Sequence, residues 1–462
     1  MTLDPRSRPE NRNTEVALLP GTPGRRRMIA LLGMALIALI VGLAATLPFA
    51  YPSQSLNYKF GLAKHLLRGG KILGLTAFIA LALQWILACR FRILDQSLGL
   101  DRVMALHRRL GLLIPFFILA HALCILWADR FAFYPLERRY WPEFLGMALA
   151  VSIIIMAATA RFRRTIKLPY HIWKPVHGSA AALVTAAALV HVLFVSDPFS
   201  RGLPRTLGFS AGCLLLLLMA MVFKRNAFPR PPAFQVKSVA PLGTDATRVQ
   251  LAPLGNPRGF HHELAGQFAF VTLLHPAIPM EPHPFTLASA PGRDPEFFIR
   301  HCGDWTHDLA ALCPGTPVAL EGPFGLFSLA AYPNAQAVVF IAGGIGITPA
   351  LSMIRHMAET RDDRPATLLW SLKSPTDLQA DQLGDQLTET LPQLRLITHL
   401  SRTAQGEPHR LTMESLAQYL DAPRVDTQYF ICGPPGFMET VGNSLRRLGI
   451  PRSRISTEAF QL

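Results

Sequence analysis

Hydrophobic and polar positions divide the chain into two parts of different texture. In the first, six uncharged apolar runs follow one another at 28–50, 72–89, 110–128, 144–160, 178–195 and 207–223. Each approaches the length at which an α-helix crosses the hydrocarbon of a bilayer, about 20 residues. Core helices of a soluble protein are the competing reading, and six such runs in succession weigh against it. The pattern then changes. From 234 to about 329, short alternating stretches at 234–239, 247–251 and 268–274 are punctuated by Gly and Pro, which predicts a small antiparallel barrel. From 337 onward, strands at 338–342, 367–371, 394–399 and 428–432 alternate with helices beginning at Pro349 and Gly436. That alternation predicts a parallel, doubly wound α/β sheet. The division read from the pattern is a disordered tail at 1–27, a six-helix membrane bundle at 28–226, a linker at 227–233, a β-barrel at 234–331 and an α/β domain at 332–462.

Composition agrees with a membrane protein, since 50% of the 462 residues are hydrophobic and only 16% charged. A net charge of +15 in a soluble protein would point to nucleic acid. Here many of the basic residues stand beside apolar runs, where they set membrane orientation, and no nucleic-acid partner is expected. Arg25–Arg27, the five arginines Arg90, Arg92, Arg102, Arg108 and Arg109, the group Arg161, Arg163, Arg164, Lys167 and Lys174, and Lys224 with Arg225 all fall on one side. The positive-inside rule makes that side cytoplasmic, with both termini inside, in a multi-pass protein of the bacterial inner membrane. Lys59, Lys64, Arg68 and Lys71 run against this bias on the outer side, as do Arg130, Arg138 and Arg139. The first apolar run is too long for the core of a signal peptide. The six cysteines form no CxxC pair, so neither a structural disulfide nor a zinc site is expected.

Four histidines change the picture most. His107 and His121 lie in the third run, His177 and His191 in the fifth, each pair fourteen positions apart. Fourteen residues are close to a whole number of helical turns, so each pair projects from one helix face across about 21 Å. The two helices run in the same direction, which matches His107 with His177 near the cytoplasm and His121 with His191 near the outer face. Imidazole is an axial ligand of haem iron, and ionisable groups inside a span mark function by default. Interfacial or helix-bridging histidines are the plainer alternative, which the repeated spacing disfavours. Phe116 and Phe117 lie between the two depths, either between haems or as bundle filling.

The second part holds four further motifs. His283-Pro284-Phe285-Thr286, continuing to Ser289, is suited to lie along a flat ring and hydrogen-bond its edge. Arg300 is placed to reach a pyrophosphate, and Thr306, in Gly303-Asp304-Trp305-Thr306, is expected to begin a helix whose N-terminus favours anions. The run Gly343-Gly344-Ile345-Gly346-Ile347-Thr348-Pro349 follows an apolar strand and opens a helix, a context that favours dinucleotide binding. Cys432-Gly433-Pro434 ends another strand, where ligands of such sheets bind. Cys432 either approaches a nicotinamide or is an inert thiol. No acid takes the ribose position; Lys373, Ser401 and Arg402 stand at the relevant strand ends, which favours NADPH.

Together, and in this order, the histidine helices, HPFT, GDWT, GGIGITP and CGPPG resemble the NADPH oxidase and ferric reductase superfamily in its compact prokaryotic form. The resemblance spans 28–462. It implies a haem-binding membrane bundle with two b-type haems, then an FAD-binding barrel and an NADPH-binding domain. HPFT would lie against the flavin, with Thr286 at the reacting ring. Arg300 and Thr306 would serve the FAD pyrophosphate, GGIGITP the NADPH pyrophosphate, and Cys432 the nicotinamide. Phe460 would cover the flavin ring, although Gln461 and Leu462 follow it. The activity implied is electron transfer from cytoplasmic NADPH through FAD and haem to an outer acceptor: dioxygen, a ferric chelate or a quinone. A periplasmic redox partner or a low-turnover haem sensor are the alternatives, and no obligate protein partner is evident.

Overall fold

The computed structural model describes residues 23–131, 134–227, 231–255, 264–276, 278–374, 376–403, 405, 407–420 and 426–458. Most of the expected tail, part of the linker and Phe460 lie outside these residues. The chain divides into two compact units. One comprises 27–94 and 102–229, and the other 230–462 together with 1–26 and 95–101.

The first unit is helical: α1 (Pro23–Ala50), α2 (Gly61–Ala88), α3 (Arg92–Leu98), α4 (Leu100–Ala128), α5 (Trp141–Phe162), α6 (Tyr170–Val195) and α7 (Gly202–Ala227). All but α3 are long and apolar enough to cross a membrane. The helices extend past the apolar runs because their polar ends continue the backbone ladder into the interfacial zone. Side chains such as Leu31, Leu36 and Leu214 face outward, as a lipid-facing surface requires, while Ala80, Leu81, Ile114, Leu149 and Val184 form an inner cluster. Few polar bonds tie the helices together. Trp85 Nε1 on α2 donates to Thr185 Oγ1 on α6 at 3.0 Å. Arg225 on α7 donates to the carbonyl of Ala88 at 2.8 Å, capping the C-terminus of α2, whose last carbonyls have no helical partner.

In the second unit, β1 (Phe234–Pro241), β2 (Ala246–Pro253), β3 (Phe268–Leu273), β4 (His283–Thr286), β5 (Glu296–Arg300) and β6 (Pro317–Phe324) form an antiparallel sheet in the order β4-β3-β6-β1-β2-β5. A bridge between Leu287 and Phe297 brings its two edges together, which closes the barrel. Its interior holds Val249, Leu251, Ala269, Val271 and Phe297. The short helix α8 (Asp304–His307) follows β5.

The remainder is β7 (Ala337–Gly343), α9 (Thr348–Thr360), β8 (Ala366–Leu372), α10 (Ala380–Thr390), β9 (Leu394–Leu400), α11 (Met413–Tyr419), β10 (Thr427–Cys432), α12 (Pro435–Arg447) and β11 (Ile455–Glu458). All strands are parallel, in the order β11-β10-β7-β8-β9. The chain leaves β7 for β8 on one side and returns to β10 on the other. The gap between the carboxyl ends of β7 and β10 is therefore the switch point at which such sheets bind ligands.

Candidate functional site

The histidines occupy α4 and α6 as the spacing requires. His107 lies within electrostatic range of His177, and His191 within range of His121. The backbones of α5 and α6 pack closely, whereas α4 and α6 share no comparable contact. The imidazoles of each pair are thus brought within range of one another without a tight seam between α4 and α6.

His121 Nδ1 lies 2.7 Å from the carbonyl of Gly70 on α2. An amide carbonyl only accepts, so Nδ1 carries the proton and the Nε2 lone pair is left for a ligand. The Nδ1 atoms of His107, His177 and His191 are buried without a hydrogen-bond partner among the described residues. The ring of His177 is instead stacked on Trp173 with centroids 4.7 Å apart. Two glycines admit the outer pair. A Cβ on Gly74 would stand 2.9 Å from His121 Nδ1, and one on Gly146 3.3 Å from His191 Cε1. Imidazole pairs at two depths, with glycine where a side chain would crowd the outer rings, are residues that could hold haem.

In the barrel, β4 carries His283, Pro284, Phe285 and Thr286. It lies against Trp305: the His283 and Trp305 rings are 4.2 Å apart, and Phe285 stacks on Trp305 at 5.7 Å. HPFT and GDWT are therefore one aromatic surface. Thr286 is buried, paired with Phe268 on β3. Ser289 is buried too, and its hydroxyl accepts from the Glu296 amide at 3.3 Å. Thr306 differs from expectation. The helix begins at Asp304, so Thr306 is its third residue and not its start. Its hydroxyl donates to the Gly303 carbonyl at 2.9 Å and accepts from the Cys302 amide at 2.6 Å. Four residues form barely one turn, and the hydroxyl is spent on stabilising it.

Arg300, at the end of β5, meets the glycine loop. Its guanidinium would stand 3.0 Å from a Cβ on Gly344, and it pairs with Asp377 at 2.9 Å and Asp245 at 3.1 Å. The loop is tied down by Trp370 Nε1, which donates to the Gly344 carbonyl at 3.0 Å. Gly343 ends β7, Gly344 and Gly346 make a tight turn, and Thr348 and Pro349 open α9. A Cβ on Gly346 would lie 2.5 Å from the Cys432 carbonyl oxygen. GGIGITP and Cys432-Gly433-Pro434 are thus in contact at the switch point. Lys373 is exposed just beyond β8, and Ser401 and Arg402 lie just beyond β9. The two ends are joined by a bond from the Ser401 amide to the Leu372 carbonyl at 2.7 Å.

Two acids complete this region. Glu458, opposite Cys432 in the β10–β11 register, is buried, and its Oε2 has no hydrogen-bond partner among the described residues. Burial, followed by the charges of Asp101 and Asp95, pushes its carboxyl well above the usual range. The Cys432 thiol is also pushed up, by burial and then by Glu458, which rules out a resting thiolate. Asp95 is buried, accepting from the amides of Gly325 at 3.2 Å and Leu100 at 3.0 Å. Burial raises its carboxyl to about 6. The motif reading missed Asp95 and Asp101, although they are the sole acids in a segment with five arginines. Glu458 was visible as an acid in a short C-terminal strand, but its burial was not.

Three families match along the chain. A ferric reductase like transmembrane component matches 73–188, an FAD-binding domain 233–328, and an oxidoreductase NAD-binding domain 340–443. The chain is similar to the reductase component of propane 2-monooxygenase from Mycolicibacterium smegmatis, 30% identical over 49% of this chain and 66% of that one. The glycine betaine monooxygenase reductase subunit of Pseudomonas aeruginosa is 29% identical over 38% of this chain and 50% of its own length. NADH-cytochrome b5 reductase 2 of Candida glabrata is 28% identical over 32% and 51%. The chain thus spans between half and two thirds of these relatives. A ferric-reductase-like domain with candidate membrane-spanning helices, followed by FAD-binding and NAD-binding domains, gives the chain the architecture of the NADPH oxidase and ferric reductase superfamily and makes it a transmembrane oxidoreductase.

Proposed function

We propose that this protein moves electrons from cytoplasmic NADPH to an acceptor on the outer face of the membrane. The reading rests on the two histidine pairs, which lie at two depths of α4 and α6 and within electrostatic range of one another. His107 with His177, and His121 with His191, would each hold one b-type haem. Bound FAD converts a hydride into single electrons, and haem carries electrons singly.

The chain's own residues provide the rest. The His283–Trp305–Phe285 surface and Thr286 offer a flat face and a hydroxyl to a flavin ring. Arg300, beside Gly344, is a cation for a pyrophosphate. The Gly344–Gly346 turn lets a dinucleotide backbone approach, and Cys432 lies at the adjoining strand end. Glu458 lies opposite Cys432 in the strand register, buried away from bulk water. Lys373 and Arg402, with Ser401, favour a 2′-phosphate and hence NADPH. Dioxygen, ferric chelates and quinones are the acceptor classes, and the orientation is N-in and C-in.

The test is anaerobic. NADPH added to protein loaded with FAD and haem should produce the absorption bands of reduced haem. His107→Leu and His191→Leu should each remove one haem. Haem that stays oxidised under NADPH would sink the relay.

A further inference from the structure

One end of the membrane bundle carries a charge pattern that membrane orientation does not explain. Lys59, Lys64, Arg68 and Lys71 line one cavity of about 270 Å³, between the end of α1 at Pro48 and the first turns of α2. Among the described residues its wall contains no acid. Lys71 pairs with Asp197, just past the end of α6, and Tyr58 donates to Asp129, just past the end of α4. The cavity thus lies at the level where those helices end, in the interfacial zone of a bilayer.

Lys64, Arg68 and Lys71 recur four and then three positions apart, so α2 presents them on one face. Like charges at this spacing repel one another, a cost that a counter-ion removes. Lys71 has one in Asp197. The Arg68 guanidinium lies 4.9 Å from the Phe49 ring centre on α1, a weaker partner than a carboxylate. Lys59 and Lys64 make no ion pair among the described residues.

The surroundings of these cations are apolar. Phe49, Leu56, Phe60 and Leu62 are exposed on the same segments, which suits them to enter a bilayer surface. No side chain in the apolar window of α1 is buried inside the chain, and Leu39 and Leu43, two to three turns before its end, are exposed. A basic cavity that opens beside such a helix can meet two parts of one molecule: a phosphate in the cavity and acyl chains along α1. A soluble anion would use only the first. The lysine stems can lie along apolar surface while their ammonium groups reach phosphate level.

We propose that this cavity binds an anionic glycerophospholipid, with its phosphodiester held by Lys59, Lys64 and Arg68 and its acyl chains lying along α1. The headgroup must be anionic and not zwitterionic. A choline or ethanolamine headgroup would bring a further cation into a wall that has four and no acid. Phosphatidylglycerol, whose phosphate charge is uncompensated, meets the requirement. The site is independent of the proposed electron flow.

The probe is phosphatidylglycerol with a photoactivatable diazirine on one acyl chain, compared with the same derivative of phosphatidylcholine. Each is added at low mole fraction to phosphatidylcholine nanodiscs holding the full chain loaded with FAD and haem, and peptide mass spectrometry maps the cross-links. Cross-links within 39–67 should exceed those of the phosphatidylcholine probe about tenfold, and unlabelled phosphatidylglycerol should compete for them. A Lys59→Gln/Lys64→Gln double variant should fall to the phosphatidylcholine level with its haem spectrum unchanged, and a single Lys64→Glu variant should act in the same direction. Arg164→Gln/Lys167→Gln, which removes the same charge between α5 and α6, should leave the cross-links in place. Equal labelling by the two lipids, or labelling indifferent to Lys59 and Lys64, overturns the site. An equal loss in the Arg164/Lys167 variant makes the effect one of net charge and overturns it too. Inorganic phosphate and citrate, at millimolar concentration and constant ionic strength, should not displace the lipid; displacement by either makes this a soluble-anion site, and the lipid assignment fails.

Discussion

Gly74 shows how much one missing methyl group can decide. The His121 ring is held from one side by the Gly70 carbonyl, and a Cβ at 74 would enter its van der Waals envelope at 2.9 Å. An imidazole ring has no flexible end to swing aside. Gly74→Val is therefore expected to lose one haem equivalent while keeping NADPH oxidation with ferricyanide, which accepts electrons from flavin. Haem extraction and the steady-state assay measure the two together. Asp95 is the opposite case, a charge placed where water is excluded. Its carboxyl is raised to about 6 from an ordinary value of 3.8, chiefly by burial, with Asp101 adding to the rise and Arg26 opposing it. A carboxylate raised on folding contributes fully below its unfolded value, and that contribution is lost as pH climbs through about 6. Asp95→Asn keeps an acceptor for the Gly325 and Leu100 amides and removes the ionisation. Relative to the parent, the variant should gain stability between about pH 4 and 7, by up to about 3 kcal/mol. The temperature of flavin release, followed across that range, reports it; a difference independent of pH would contradict the assignment.

Among elements, the strand ends at the switch point depend on each other most. Gly346 packs its bare Cα against the backbone of Cys432 and Gly433, so the clash from a side chain there falls on backbone atoms. Gly346→Ala is expected to push β7 and β10 apart at their carboxyl ends and weaken NADPH binding at least about tenfold. FAD content should persist, because the clash at Gly346 falls on Cys432 and Gly433 and not on Arg300 or the barrel strands. Equilibrium binding of NADP⁺ checks the first outcome and flavin fluorescence the second. The strands themselves were readable, because β-branched and aromatic runs between Gly and Pro turns leave few alternatives, and GGIGITP announced its strand–turn–helix setting. The short elements were not. The helix at Asp304–His307 is too short for periodicity to fix its start, which is why Thr306 was misplaced. The 95–101 segment, which lies among the arginines between two spans, drew no reading of its own, because its burial depends on Gly325, 230 positions away from Asp95. Nothing local encodes such a contact.

At the scale of the whole molecule, the proposed electron flow works only if NADPH is bound from the cytoplasm and the acceptor is met from the other side of the membrane. That requires one orientation, and the charges argue for it unequally. The segments at 25–27, 90–109, 161–174 and 224–225 are dense in arginine and lysine. The cations Lys59, Lys64, Arg68 and Lys71 oppose them, but these four line one cavity of about 270 Å³ and are not spread along a loop. Counting them as topogenic would therefore understate the bias. The sequence could supply the six candidate spans and a charge bias. It could not show that Lys59, Lys64, Arg68 and Lys71 converge, because the convergence depends on how the 50–60 connection folds back over α2. Two single-cysteine probes test the orientation. Ser53→Cys, in the wall of the cavity, should react with a membrane-impermeant maleimide in intact cells of the expression host, above the background of the parent. Thr165→Cys, between α5 and α6, should react only after the cells are opened. The reverse pattern would place the nucleotide-binding domain outside the cell, away from any pool of NADPH, and the proposed direction of electron flow would fall with it.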